Sequence, residues 1–179
     1  DDFDGDLLLD VAAAHTFSLS FFRGKGDGFL DPPVETSFGD VQTDPHGIAS
    51  GDLDGDELPE IAGFSIEDDG ENPRLFILWN QGQGVFAREF PVELSGATFA
   101  APSVTDVDGD GLPDVVAALK RGKKFGVLVL LGRGDGTFEA PREAMVGSEL
   151  AAIALGDIDG DGMADLVGPR SGLPEIAFY

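Results

Sequence analysis

The chain has no cysteine, so neither a disulfide framework nor a thiolate metal or redox centre exists within its 179 residues. Basic residues are also scarce: 11 lysines and arginines stand against 34 acids, for a formal charge of -23. That balance argues against nucleic acid, whose phosphates need basic contacts, and equally against an anionic membrane surface. No apolar run approaches the ~20 residues that a membrane-spanning helix requires, so no membrane insertion is expected of this segment. No signal peptide opens the sequence, and the absence of an initial Met suggests that Asp1 is not the natural start.

What is present is a hydrophobic content of 42%, that of a folded chain rather than a disordered one. The acidity is placed rather than diffuse. One stretch, Asp106-Val107-Asp108-Gly109-Asp110-Gly111-Leu112-Pro113-Asp114, sets carboxylates at positions 1, 3, 5 and 9 of a short loop. The same arrangement recurs as Asp2, Asp4, Asp6 and Asp10, as Asp52, Asp54, Asp56 and Glu60, and as Asp157, Asp159, Asp161 and Asp165. The first aspartates of successive copies are 50, 54 and 51 residues apart, which marks a structural repeat.

Each copy is followed by the same series of segments. A short apolar strand comes directly after the last loop acid, at Val11 to Ala14, Ile61 to Phe64, Val115 to Ala118 and Leu166 to Val167. A second strand follows at Phe17 to Phe22, Leu75 to Trp79, Val127 to Leu131 and Ile176 to Tyr179. In the first of these, apolar residues alternate with Ser18 and Ser20, the period of a half-buried strand, whereas its equivalents are continuously apolar, as in a strand covered on both faces. Glycine-rich turns come next, at 24–28, 80–84 and 132–136, with a third strand opening near Leu30, Phe86 and Phe138. A further apolar segment (Gly47 to Ser50, Pro102 to Thr105, Ala151 to Leu155) leads into the next loop.

Four short strands per ~50 residues is the size of one β-propeller blade. The expected fold is therefore all-β, a single segment over 1–179 with repeat units near 1–46, 47–101, 102–150 and 151–179. It would hold two complete four-stranded antiparallel blades flanked by two partial ones. Since a ring closes with about four to eight blades, the chain is expected to be part of a longer propeller of about seven. Association with the missing blades or with another chain is then possible.

The loop chemistry suits calcium, a hard cation that takes six to eight oxygen ligands at about 2.3–2.6 Å. Up to four ions are expected, one per loop. The side chains of the 16 loop acids named above would serve as ligands, together with the backbone carbonyls of Leu8, Leu58, Leu112 and Met163. Glycine at the fourth position (Gly5, Gly55, Gly109, Gly160) lets the loop take positive φ. An EF-hand is excluded because its position 12 requires Glu and here holds Ala13, Gly63, Ala117 or Gly168. A nonapeptide β-helix is excluded by the period. Asp and Gly also make plain polar turns, and a single copy could be one. Four copies in register point to a cation, since carboxylates about 5 Å apart repel by roughly 3 kcal/mol at an effective dielectric near 20.

At these loops the chain resembles the FG-GAP and VCBS repeat family, the calcium-loop blades of integrin α-subunit propellers and of many secreted and surface proteins of bacteria. Leu131-Gly132-Arg133-Gly134-Asp135-Gly136-Thr137-Phe138 is similar to that family's turn. The resemblance implies a propeller with calcium between the first two strands of a blade. Leu7 and Glu57 depart from the glycine that Gly111 and Gly162 supply at the sixth loop position, so the third and fourth loops are expected to be the better sites.

Function is then expected to be that of a calcium-stabilised scaffold for protein or glycan interaction or adhesion, in an extracellular, cell-surface or periplasmic protein. The alternative is the propeller portion of a secreted polysaccharide-active enzyme. No catalytic residue is assigned: His15, His46 and Tyr179 are the few acid–base candidates, and the carboxylates are committed to the loops. Trp79 is expected in the core rather than as a sugar platform, and Arg133-Gly134-Asp135 is taken as part of the repeated turn rather than as an adhesive tripeptide.

Overall fold

The computed structural model describes residues 1–15, 18–37, 47–66, 73–93, 97–145, 154–160, 164–169 and 176–178. These form fourteen strands in four antiparallel sheets, with no helix. Sheet one holds β1 (Val11–Ala14), β2 (Ser18–Phe22) and β3 (Val34–Ser37). Sheet two runs in order through β4 (Ile48–Gly51), β5 (Glu60–Ile66), β6 (Pro73–Asn80) and β7 (Phe86–Glu93). Sheet three repeats that order with β8 (Thr98–Thr105), β9 (Asp114–Arg121), β10 (Lys124–Leu130) and β11 (Arg142–Met145). Sheet four holds β12 (Ala154–Gly156), β13 (Asp165–Pro169) and β14 (Ile176–Phe178).

Successive side chains of a strand point to opposite faces, and the interior strands use both. On β6, Leu75 and Ile77 join Ala62 and Phe64 in a core shared with Val115, Ala117, Leu128 and Leu130 of sheet three. Phe76 and Leu78 point the other way, into a core with Leu19 and Phe21 of sheet one. The sheets thus stack face to face, which is why the second strands of these two units are continuously apolar while sheet one alternates. Phe3, Phe21 and Phe86 meet edge to face in that second core, with ring centroids 6.0–6.2 Å apart.

The first strands lie side by side, β8 against β4 and β12 against β8. Sheet one has no such strand among the described residues. Asp1 takes its place at one point: its carbonyl accepts the Asp10 N–H at 2.7 Å, at the position of the Gly51–Glu60 and Thr105–Asp114 pairs. A cavity of about 310 Å³ lies beside it, lined by Phe3, Val11, Ala12, Ile48 and Ile61 among others.

Two local differences from the sequence reading have clear causes. Leu30 and Phe138 make only single bridges, to Gly24 and Gly132, and the outermost strands begin later, at Val34 and Arg142. Pro32, Pro33 and Pro141 lie between, and proline cannot donate to a ladder. The hairpin of β9 and β10 extends well past its apolar part to a tight turn at Gly122, because charged partners carry it: Lys120 lies 5.5 Å from the Phe125 ring and Arg121 pairs with Glu143 at 2.5 Å.

Candidate metal centre

Each acidic loop is folded by its own aspartates. The first one accepts the N–H of the fourth residue through Oδ1, at 2.8, 2.7, 2.8 and 2.6 Å for Gly5, Gly55, Gly109 and Gly160. Its Oδ2 accepts the N–H of the sixth, from Leu7, Glu57 and Gly111 at 2.7, 3.0 and 2.8 Å. The acid at position five, Asp6, Asp56 or Asp110, accepts the N–H of Leu8, Leu58 or Leu112. Such bonds require the left-handed backbone at position four, where φ is 77–82° and glycine carries no penalty. At position six the same bend is imposed on Leu7 and Glu57 (φ 69° and 72°), at a cost of about 1–2 kcal/mol each. The third loop avoids that cost with Gly111 (φ 86°), yet the hydrogen bonds are the same.

The acid at position nine faces inward in the first three loops. Asp10, Glu60 and Asp114 are 5%, 0% and 1% exposed. One oxygen of each accepts the N–H of the second loop residue, Phe3, Leu53 or Val107, at 2.8–2.9 Å. The other accepts an N–H from the glycine-rich turn, at Gly24, Asn80 or Gly132. Sequence reasoning treated this residue as a metal ligand only; the fold also uses it to lock the loop to the turn. Burial, reinforced by Asp54 and Asp56, pushes Glu60 up to about 7, and burial likewise raises Asp114. Asp106 is held below the usual range, chiefly by the Gly111 N–H, whereas desolvation and then Asp56 raise Asp54. Backbone donors therefore offset part of the repulsion in these loops.

Three carboxylates converge in every loop, with one oxygen from each lying within 4.8 Å of the others. The groups are Asp2, Asp4 and Asp6; Asp52, Asp54 and Glu60; Asp106, Asp108 and Asp114; and Asp157, Asp159 and Asp165. Ligands at about 2.3–2.6 Å from one ion can be at most about 5 Å apart, so these all-oxygen sets fit a hard divalent cation. Asp161 and Met163 lie outside the described residues, as do His46 and Tyr179.

The other candidates have local roles. Ser20, 4% exposed, donates to Glu35 Oε1 at 2.6 Å and lies 3.0 Å from His15 Nε2. With its proton on Glu35, the hydroxyl can only accept from His15, the opposite polarity to nucleophile activation. Trp79 packs on the core between sheets two and three and lies over Gly136, where an added Cβ would come within 2.6 Å of the ring. Arg133 Nη1 donates to the Phe138 carbonyl at 2.9 Å, and Asp135 accepts both the N–H and the hydroxyl of Thr137. The tripeptide is thus bound up in its own turn.

Sequence reasoning missed the groups that join one unit to the next. Asn80 Nδ2 donates to the Phe3 carbonyl at 2.8 Å, and the Gly136 N–H donates to the Leu53 carbonyl at 3.1 Å. In each case a turn reaches the second residue of the preceding unit's loop. The available signal was the apolar residue at that second position (Phe3, Leu53, Val107, Ile158) inside an otherwise acidic loop.

Stacked antiparallel sheets, each with an acidic loop leading into its strand β1, β5, β9 or β13, define a repeat protein with a β-propeller-like fold. The FG-GAP-like repeat pattern matches residues 2–63 and 106–168, more than half of the sequence, and the chain belongs to that family. No curated protein sequence matches it. Among solved structures it is similar to an Agrocybe aegerita lectin described for specific recognition of non-reducing terminal N-acetylglucosamine, at 21% identity and TM-score 0.60, over 99% of this chain and 50% of the lectin. It is also similar to the Photorhabdus luminescens Tc holotoxin pore, at 17% identity and TM-score 0.53, over 94% of this chain and 8% of that one. The chain thus spans half the length of the lectin. These likenesses establish the fold. Among the described residues no helix is long and apolar enough to cross a membrane.

Proposed function

We propose that the chain is a calcium-stabilised β-propeller scaffold for protein or glycan interaction, acting outside the cytoplasm and without catalysis of its own, within a larger propeller of about seven blades. The observation that carries this reading is the convergence of three carboxylates in the same loop of all four units. Asp52, Asp54 and Glu60, Asp106, Asp108 and Asp114, and Asp157, Asp159 and Asp165 would hold the ion, with Asp56, Asp110 and the carbonyls of Leu58 and Leu112 within the same loops. Calcium supplies charge neutralisation there and no reaction. The residues themselves do the rest: the first aspartate shapes the loop and the ninth acid ties it to the turn.

The lectin's similar fold supports a glycan among the ligand classes, and a glycan array probed with the calcium-loaded chain tests that part. The central experiment is calorimetry. At 1 mM calcium, a site with a dissociation constant near 10 µM stabilises the fold by about 2.7 kcal/mol, so calcium should raise Tm, EDTA should lower it, and magnesium should substitute poorly. No binding at 1 mM calcium would end this reading. A polysaccharide-active enzyme remains second, because the described acid–base candidate His15 is engaged as a donor to Ser20.

A further inference from the structure

The ninth acid's bonds to Gly24, Asn80 and Gly132 put the three turns in register, so the residues just before them correspond: Arg23, Trp79 and Leu131. Two are apolar and one is a permanent cation. Arg23 Nε lies 2.5 Å from Oδ2 of Asp4, the acid at position three of loop one. The Asp4 side chain is 2% exposed and that of Arg23 44% exposed, so the ion pair joins a buried carboxylate to a guanidinium that reaches solvent. That oxygen is buried without an aligned hydrogen-bond donor, which makes the contact an ion pair. The equivalent acids Asp54 and Asp108 are exposed.

Loop one differs in one further way. Its converging acids are Asp2, Asp4 and Asp6, without the ninth acid that takes part in each of the other three groups. The non-glycine residue at position six, Leu7 with φ 69°, is shared with loop two, where Glu57 has φ 72°, so the acid set and Arg23 are what set loop one apart. A guanidinium stays charged at every accessible pH and cannot yield its place by losing a proton. A dication beside Asp4 would meet that charge at close range.

We infer that Arg23 takes the place of the metal in loop one, so that this loop holds its form without an ion while the other three bind calcium. The inference rests on the calcium reading for those three. It predicts that loop one binds calcium more weakly than the others by about tenfold or more.

Titration calorimetry on the whole chain should therefore reach three tight sites, and Arg23→Leu, which installs the residue found at 131, should reach four. Four equivalent sites in the unaltered chain would overturn the inference. If Arg23→Leu fails to fold, Asp4→Asn decides: the count of three should be kept, and a drop to two would show that Asp4 binds calcium. A second arm needs no calcium. In EDTA, Asp4→Asn should lower Tm, because it strands Arg23, whereas Asp108→Asn, which relieves repulsion, should not. The reverse order would overturn the inference even if no ion bound anywhere, an outcome that would separately end the calcium reading.

Discussion

Leu53 and Ile158 occupy the second position of two equivalent loops, yet Leu53 is 2% exposed and Ile158 is 54% exposed. Leu53 sits in the core between sheets two and three, and its carbonyl takes the Gly136 N–H. No described residue seals Ile158 in this way. Two local hydrogen bonds are present in both copies, from the fourth-position glycine to the first aspartate and from the second residue to the ninth-position acid, so these do not depend on the neighbouring unit. What the neighbouring unit adds is burial, and burial turns an acidic turn into part of a core.

The largest test of this contrast is truncation. Leu53→Ala should cost about 2–5 kcal/mol in denaturant unfolding, while Ile158→Ala should stay within about 0.5 kcal/mol. Equal losses would mean that the stacked interface is not what gives Leu53 its importance.

Next comes pH. The Glu60 carboxyl rises from 4.5 unfolded to about 7 in the sealed loop. Its raised value means that ionising it opposes folding, so Glu60's own contribution to the stability of metal-free protein should fall as pH rises from about 4.5 to about 7, by at most about 3 kcal/mol. Added calcium should flatten or reverse that fall, since a cation favours the ionised form. Thermal melts across this range with EDTA and with calcium read both slopes, and parallel slopes would detach Glu60 from the ion.

Asn80→Ala removes the Phe3 and Pro59 contacts of one turn and leaves a buried carbonyl without its donor. A loss of about 1–3 kcal/mol is expected from equilibrium unfolding. The smallest effect is Leu7→Gly. Leu7 is 91% exposed and contributes little packing, so relief of its positive φ should raise stability by about 0.5–1 kcal/mol. A loss instead would show that Leu7 makes a contact that its exposure conceals.

Much of this was legible in one dimension. The period of the acidic loops, the apolar strand after each and the glycine-rich turn all depend on residues close in sequence, where spacing and backbone preference decide the outcome. Asp2, Asp52 and Asp106 could be assigned to their loops for that reason. The outermost strands were read less well, because Pro32, Pro33 and Pro141 interrupt them and the ladder resumes only where a long-range partner is available.

Sequence alone therefore determined the repeat, the all-β class and the acid sets, since each is set by local periodicity and side-chain chemistry. Tertiary structure decided which faces are covered, and with them the second role of Asp10, Glu60 and Asp114, the bridging by Asn80, and the pairing of Arg23 with Asp4. Those depend on groups 14 to 77 residues apart along the chain meeting across a turn or a sheet interface, as in the Gly24–Asp10 and Asn80–Phe3 bonds. Desolvation and pairing exist only once the sheets have stacked, so no loop carries that information by itself.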